Sequence, residues 1–132
     1  MNTNRMSLIK QTILHKNTKM HQSITEIVVK EAYRINIETI EKTTLATAIN
    51  LVRDGLGVLI SGIGHDTVKI LAEHFKPQEP KTGIKVIGHN LKANLPEAAF
   101  MYGSAIHSMD FEPMFLPPTH AISPVLSPLI AI

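Results

Sequence analysis

The chain has no cysteine and no tryptophan among its 132 residues, and its aromatic side chains are two Tyr and four Phe. The absence of cysteine excludes disulfides, thiolate nucleophiles and cysteine-ligated zinc or iron–sulfur sites, and it fits a reducing compartment. So few aromatic rings argue against a platform for stacking nucleic-acid bases. Charge is also nearly balanced, with 13 cationic and 11 anionic side chains and a net charge of +2, so we expect no nucleic-acid partner.

Acidic residues are absent from residues 1–25, where Arg5, Lys10, Lys16 and Lys19 supply four positive charges. This composition is similar to that of a mitochondrial transit peptide. The alternative is a solvated, flexible N-terminal extension, which we assign to residues 1–22. We therefore expect a cytoplasmic protein, with a mitochondrial location as the alternative.

Charged residues are absent from the other end of the chain, from Pro113 to Ile132. Prolines recur through this segment and argue against a membrane span. A soluble helix rarely ends without a cap or a charged residue in its last turn. The pattern therefore predicts either a chain that stops within its domain, missing a C-terminal half, or an apolar end that is buried in a homo-oligomer.

Hydrophobic spacing and capping residues predict a mainly α protein, with a partial helical domain over residues 23–132. Gly55 and Gly57 fall within the second helix, where glycine indicates the close approach of another part of the chain. At most one short extended segment is expected, over residues 82–88. The first predicted helix starts at Ser23, in a capping box with Glu26. Three more helices are predicted over residues 38–61, 66–75 (capped by Asp66) and 94–108, and a last helix starts at Ser123.

Polar side chains converge after the fourth predicted helix. His107 and Asp110 lie three residues apart on one helix face, and the following loop adds Glu112, Thr119 and His120. Two imidazoles and a carboxylate can transfer protons near neutral pH. The structural alternative is that His107 interacts with the helix dipole and that Asp110 caps the next turn.

The sequence gives less support to a metal or cofactor site than to a proton-transfer site. Two histidines with a carboxylate could bind zinc or iron, but their spacing lacks the specificity of H-E-x-x-H. Gly62 and Gly64 do not continue into G-x-G-x-x-G, because residue 67 is Thr. We therefore expect neither a metal nor a cofactor.

Four separated segments resemble the MmgE/PrpD family, which includes 2-methylcitrate dehydratases and cis-aconitate decarboxylases. They lie in the family's order and spacing over residues 23–132. The segments are Asp54–Gly62, similar to D-x-L-G-V-x-x-x-G; Val86–Gly88, similar to the T-V-x-G strand; Ala98–Glu112, similar to A-A-F-x-N-G-x-x-x-H-x-x-D-[FY]-[DE]; and Pro118–Leu126, similar to the H-P-[ST]-x-x-V-L region.

The resemblance implies a mostly helical domain that forms part of a larger, typically dimeric lyase acting on small di- or tricarboxylates without a metal. Asp110 and His120 match the family's active-site residues, and His107 matches its histidine at the helix end. We predict that His120 is the general acid or base, that Asp110 orients it or holds the substrate, and that His107 supports both. The alternative is a non-catalytic relic or interaction module of the same fold.

Three positions depart from the family's pattern. Pro113 replaces its second acid, Met114 replaces its active-site threonine, and Tyr102 stands where Asn is common. The loss of the threonine hydroxyl removes a group that could bind a substrate carboxylate. The later half of the family, including its lid and basic residues, has no counterpart in this sequence, so we expect little or no turnover from these 132 residues alone.

Overall fold

The computed structural model describes residues 23–116 and 119–132, and within them the chain is mainly α-helical, as predicted. The described residues divide into two units, one that ends at Ile40 and one over Glu41–Ile132. The predicted extension over residues 1–22 lies outside the described residues. The helices are α1 (Ile24–Arg34), α2 (Lys42–Gly62), α3 (Asp66–Phe75), α4 (Leu95–Ser108) and α5 (Ile122–Ala131), with a 3₁₀ turn at Lys76–Gln78 and the strands β1 (Ile84–Lys85), β2 (Lys92–Ala93), β3 (Met114–Phe115) and β4 (Thr119–His120).

Helix α1 begins with the predicted capping box. The Glu26 N–H donates to Ser23 Oγ at 3.1 Å, and the Ser23 N–H donates to Glu26 Oε2 at 3.0 Å. Each side chain therefore satisfies a backbone amide that has no carbonyl partner within the helix.

Two predicted helix starts were wrong. Glu38 does not open α2, because its N–H donates to Asn36 Oδ1 at 2.9 Å within a separate turn, and the helix begins at Lys42. Helix α3 is capped by His65, whose Nδ1 accepts from the Thr67 N–H at 3.3 Å, and not by Asp66. In both places a local side-chain hydrogen bond to the backbone decides the boundary.

Helix α4 lies at the centre of the second unit and packs against α2, α3 and α5. The largest side chains in this core are almost fully buried: Leu59, Val68, Val86, Met101, Tyr102 and Ile106. The Tyr102 hydroxyl reaches the turn that follows β1, where it accepts from the Ile87 N–H at 3.3 Å.

Helix α2 approaches its neighbours closely at two glycines. A Cβ added at Gly55 would lie 2.6 Å from side-chain atoms of Ile122 and Leu126 in α5, and one added at Gly62 would overlap the backbone oxygen of Ala105 in α4. The close approach expected at Gly55 is therefore confirmed. The expectation at Gly57 was wrong, because a Cβ there would have no neighbouring atom within 4 Å.

By length and composition, α2 is also a helix that could cross a membrane, with a mean hydropathy of 1.2 over its most apolar 18 residues. A core helix of a soluble protein satisfies the same criterion. In this chain one side of α2 packs on α4 and α5, and 22% of the apolar window is buried.

Two antiparallel strand pairs flank α4. In the first, Ile84 pairs with Ala93, which places a strand in the extended segment expected over residues 82–88. In the second, Met114 pairs with His120. We did not expect this second pair, since strands of two residues are too short to show an alternating hydrophobic pattern.

Candidate functional site

The structure places a fully buried carboxylate, that of Glu112, between the end of α4 and the start of α5. Glu112 follows α4 by four residues, and its side chain has 0% exposure. An ionised carboxylate is rarely buried without compensating partners, because desolvation of the charge is costly. The groups around Glu112 therefore define the site.

Four groups from three parts of the chain converge on this carboxylate. His107 Nδ1, on the last turn of α4, lies 2.9 Å from Oε1, and His120 Nδ1, on β4, lies 3.1 Å from the same oxygen. Ser123, at the start of α5, donates its backbone N–H to Oε2 at 2.7 Å and its hydroxyl to Oε1 at 2.8 Å. We name His107, Glu112 and His120 the histidine–glutamate cluster.

The contacts of Ser123 lie in the first turn of α5. The helix was predicted to start at Ser123, but it starts at Ile122 after Ala121. Ser123 does not cap its own helix, since both its N–H and its hydroxyl donate to Glu112. The same bonds fix the first turn of α5 to the loop that follows α4.

The pKa of Glu112 is held below its ordinary value. Burial alone would raise this pKa, but the hydrogen bonds from His107 and Ser123, together with the positive charge of His120 when protonated, favour the ionised form more strongly. The site is therefore built around a carboxylate anion.

The two imidazoles differ in exposure and in partners. Their rings meet edge to face with centroids 4.7 Å apart. The His107 side chain is 56% exposed, and it lines a groove of about 490 Å³ between α4 and α5. The His120 side chain is 27% exposed, and its buried Nδ1 has no hydrogen-bond partner among the described residues. Glu112 Oε1 already accepts hydrogen bonds from His107 and Ser123, so it has little capacity to accept another from His120.

Asp110 occupies a different position from the other two predicted site residues. Its backbone lies in the left-handed region, with φ of 53°, and its N–H donates to the carbonyl of His107 at 3.1 Å. This conformation ends α4 and turns the chain, a position usually held by Gly or Asn. The carboxylate of Asp110 is exposed, and it forms no hydrogen bond or ion pair with the residues that the structure describes.

The structure thus brings together His107 and His120, and it centres them on Glu112. Sequence analysis placed Glu112 in the right loop but left it out of the predicted catalytic set. One signal in the sequence could have identified it: Glu112 is the last charged residue before an uncharged segment of the chain. A carboxylate in such surroundings must find polar partners nearby.

Comparison with known proteins places the chain in a family. The chain is 28% identical over 114 residues to the cis-aconitate decarboxylase of Mus musculus, and the match covers 83% of this chain and 23% of that protein. The chain thus spans about a quarter of the length of this relative. No solved structure matches it. The MmgE/PrpD N-terminal domain matches residues 27–132, and the chain therefore belongs to the MmgE/PrpD family, as its four sequence segments indicated.

Proposed function

We propose that the chain supplies the proton-transfer site of a lyase that acts on small di- or tricarboxylates by loss of water or of carbon dioxide. The observation that carries the proposal is the histidine–glutamate cluster, in which two imidazole nitrogens lie 2.9 and 3.1 Å from one buried carboxylate oxygen. Family membership and the cis-aconitate decarboxylase relative support the reaction class. The chain spans 23% of the length of that relative, so the activity of a complete enzyme is proposed here and does not follow from the match.

His120 is our choice for the general acid or base. Its Nδ1 faces Glu112, so Nε2, on the opposite side of the ring, is the nitrogen that can meet a substrate. When Nε2 takes a proton from a carbon next to a carboxylate, the ring becomes an imidazolium ion, and the buried Glu112 anion stabilises that charge. His107 contacts the same anion and supports this role from the end of α4.

Asp110 forms no hydrogen bond to His120 Nδ1, so of its two predicted roles we propose the second, that it holds the substrate. Two variants separate its carboxylate from its backbone. Asp110→Gly keeps the left-handed conformation without strain, and Asp110→Asn tolerates it. A role for the carboxylate requires both variants to weaken tricarboxylate binding. If both bind as the unaltered chain does, Asp110 serves only to end α4.

Met114 tests the proposal by gain of function. Its backbone pairs directly with His120, and its side chain is 65% exposed, so a smaller residue fits there without disturbing the core. Met114→Thr would restore a hydroxyl beside His120. Because hydrogen bonds to charged groups contribute about 1.5–3 kcal/mol, we expect roughly tenfold tighter cis-aconitate binding, measured by titration calorimetry.

His120→Ala is the main test of function. We expect cis-aconitate to shift the imidazole proton resonances of His107 and His120 saturably, and to leave exposed His74 unchanged. Any dehydration or decarboxylation by the chain should fall by about a hundredfold or more in His120→Ala, and it should persist in the His74→Ala control. Turnover that survives His120→Ala, or binding that leaves both cluster histidines unperturbed, would contradict the proposal.

The alternative function is a non-catalytic interaction module of the same fold. It is favoured by exposed apolar side chains in the part of the chain between α4 and β4, where Phe111 is 69% exposed and Leu116 is 94% exposed. Exposed apolar patches commonly mark protein interfaces. A chain that self-associates but binds no di- or tricarboxylate would favour this alternative.

A further inference from the structure

We propose that the groove between α4 and α5 binds a hydrocarbon arm of the substrate, so that the site takes di- or tricarboxylates that carry an alkyl substituent. The inference rests on the proposed function, because it names the substrate class of the same site. The groove has a volume of about 490 Å³, and only these two helices line it. Its lining residues are Ala99, Phe100, Gly103, Ser104, His107, Ser123, Pro124, Ser127 and Pro128.

The lining of the groove suits hydrocarbon better than it suits carboxylates. Among the described residues that form it, His107 alone can carry a charge, and the others are apolar or are serines. The hydroxyl of Ser123 is already bonded to Glu112 at 2.8 Å. A carboxylate placed along this groove would lose its hydration without gaining a set of hydrogen-bond donors. A methylene chain would instead lose only unfavourable contact with water.

Large apolar surfaces stand beside small residues in the groove. Phe100 is 58% exposed, and its ring has no aromatic partner among the described residues. Pro124 and Pro128 add rigid rings from α5. Gly103 lies between these surfaces without a side chain, and a Cβ added there would be 3.3 Å from Ser127 Oγ. A rigid apolar groove loses little conformational entropy when a ligand fills it.

His107 connects the groove to the proton-transfer site. Its ring lines the groove and meets the His120 ring edge to face, with centroids 4.7 Å apart. Ser123 also belongs to both, since it lines the groove and donates its N–H to Glu112 at 2.7 Å. A substrate whose reacting carbon lies beside His120 can therefore extend a substituent past His107 and into the groove.

The two parts of this combined site match the two parts of such a substrate. His107 and His120 carry positive charge when protonated, which complements the carboxylate groups of the substrate. The rest of the groove complements an uncharged arm. Its volume also falls within the range of about 300–1,000 Å³ that is typical of small-molecule sites. Size and charge therefore favour an alkyl-substituted acid over a segment of another protein.

The test is calorimetric titration of the 132-residue chain with four 2-alkylsuccinates, whose substituents are methyl, propyl, pentyl and heptyl. These probes share one dicarboxylate group and differ only in the arm. Burial of a methylene contributes about 0.8 kcal/mol, which corresponds to nearly fourfold in Kd. Because the groove is open to solvent along one side, we expect Kd to fall by about two- to fourfold per methylene until the groove is filled.

Ala99→Leu is the main variant, because the added carbons would occupy the groove. It should bind methylsuccinate as the unaltered chain does and bind pentylsuccinate at least tenfold more weakly. Ala46→Leu makes the same change at an exposed position of α2, so it is the matched control and should keep the full dependence on arm length. Phe100→Ala removes an exposed ring and should reduce the gain per methylene. Far-ultraviolet dichroism confirms that each variant is folded.

The outcomes separate this inference from the proposed function. If Kd does not depend on arm length while methylsuccinate still shifts the His107 and His120 resonances, the alkyl groove is overturned and the proposed function stands. Equal dependence on arm length in Ala99→Leu and Ala46→Leu would also overturn it, because the arm would then bind elsewhere. Loss of self-association in Ala99→Leu, without any dependence on arm length, would assign the groove to a second copy of the chain. If no probe shifts the two histidines, the proposed function fails and this inference fails with it.

Discussion

Gly62→Ala is expected to lose about 3 kcal/mol or more of its free energy of unfolding, with a fall of roughly 10 °C or more in Tm. A Cβ at this position would overlap the backbone oxygen of Ala105. A flexible side chain could move aside, but a helical backbone carbonyl can yield only if α2 and α4 separate. That separation would open the packing around Leu59 and Ile106, which are both almost fully buried.

Gly57→Ala is the control for this experiment, because it makes the same chemical change in the same helix. A Cβ at Gly57 would have no neighbouring atom within 4 Å, so the variant gains helix propensity without a clash. We expect it to be more stable by up to about 1 kcal/mol. Thermal unfolding followed by dichroism measures both variants, and equal Tm values for Gly57→Ala and Gly62→Ala would contradict the close contact between α2 and α4.

Glu112→Gln is expected to cost about 2–4 kcal/mol of stability at pH 7, although the two side chains have nearly the same shape. Both carboxylate oxygens accept hydrogen bonds, Oε2 from the Ser123 N–H and Oε1 from the Ser123 hydroxyl and His107. A glutamine must place its NH₂ group at one of these two positions. At the Oε2 position the NH₂ group would face the Ser123 N–H, donor against donor. At the Oε1 position the Ser123 hydroxyl and His107 Nδ1 would both have to change from donors to acceptors, and in either case the carboxylate charge is lost.

The same variant predicts a change in acid stability. The folded-state pKa of Glu112 lies below its ordinary value of 4.5, so its ionised form stabilises the fold. This contribution is complete above about pH 4.5 and is lost as the pH falls through the lowered folded-state pKa. The loss of stability on acidification should therefore be smaller in Glu112→Gln than in the unaltered chain. Glu73→Gln, at an exposed position on α3, should keep the full acid dependence.

The sequence predicted the helical framework because the information for it is local. Ser23 and Glu26 form a capping box from residues three apart, and the apolar spacing of α4 appears within four turns. The misplaced starts at Glu38 and Asp66 arose where a neighbouring side chain, Asn36 or His65, bonds to the backbone instead. The competing local hydrogen bonds are close in energy, so the capping patterns alone did not identify the correct helix starts.

The candidate site was predicted only in part because its centre depends on tertiary structure. The convergence of His107 and His120 followed from their positions around one loop. The role of Glu112 requires the chain to turn sharply at Asp110 and to return to Ser123. The turn uses a left-handed conformation, which Asp can adopt but which its presence in a sequence does not predict. The second strand pair, which sets His120 opposite Met114, also has no periodic signal in the sequence.

The bond from the Ser123 amide to Glu112 makes that amide a reporter for the site. Its nitrogen lies 2.7 Å from an oxygen of the buried carboxylate, at the first turn of α5, where helix amides otherwise lack a carbonyl partner within the helix. Hydrogen exchange at Ser123 can therefore occur only when the loop carrying Glu112 releases the helix, so its rate measures local opening of the cluster. A ligand that joins His107 to His120 would slow this single amide, and it would do so even in a chain with no measurable turnover.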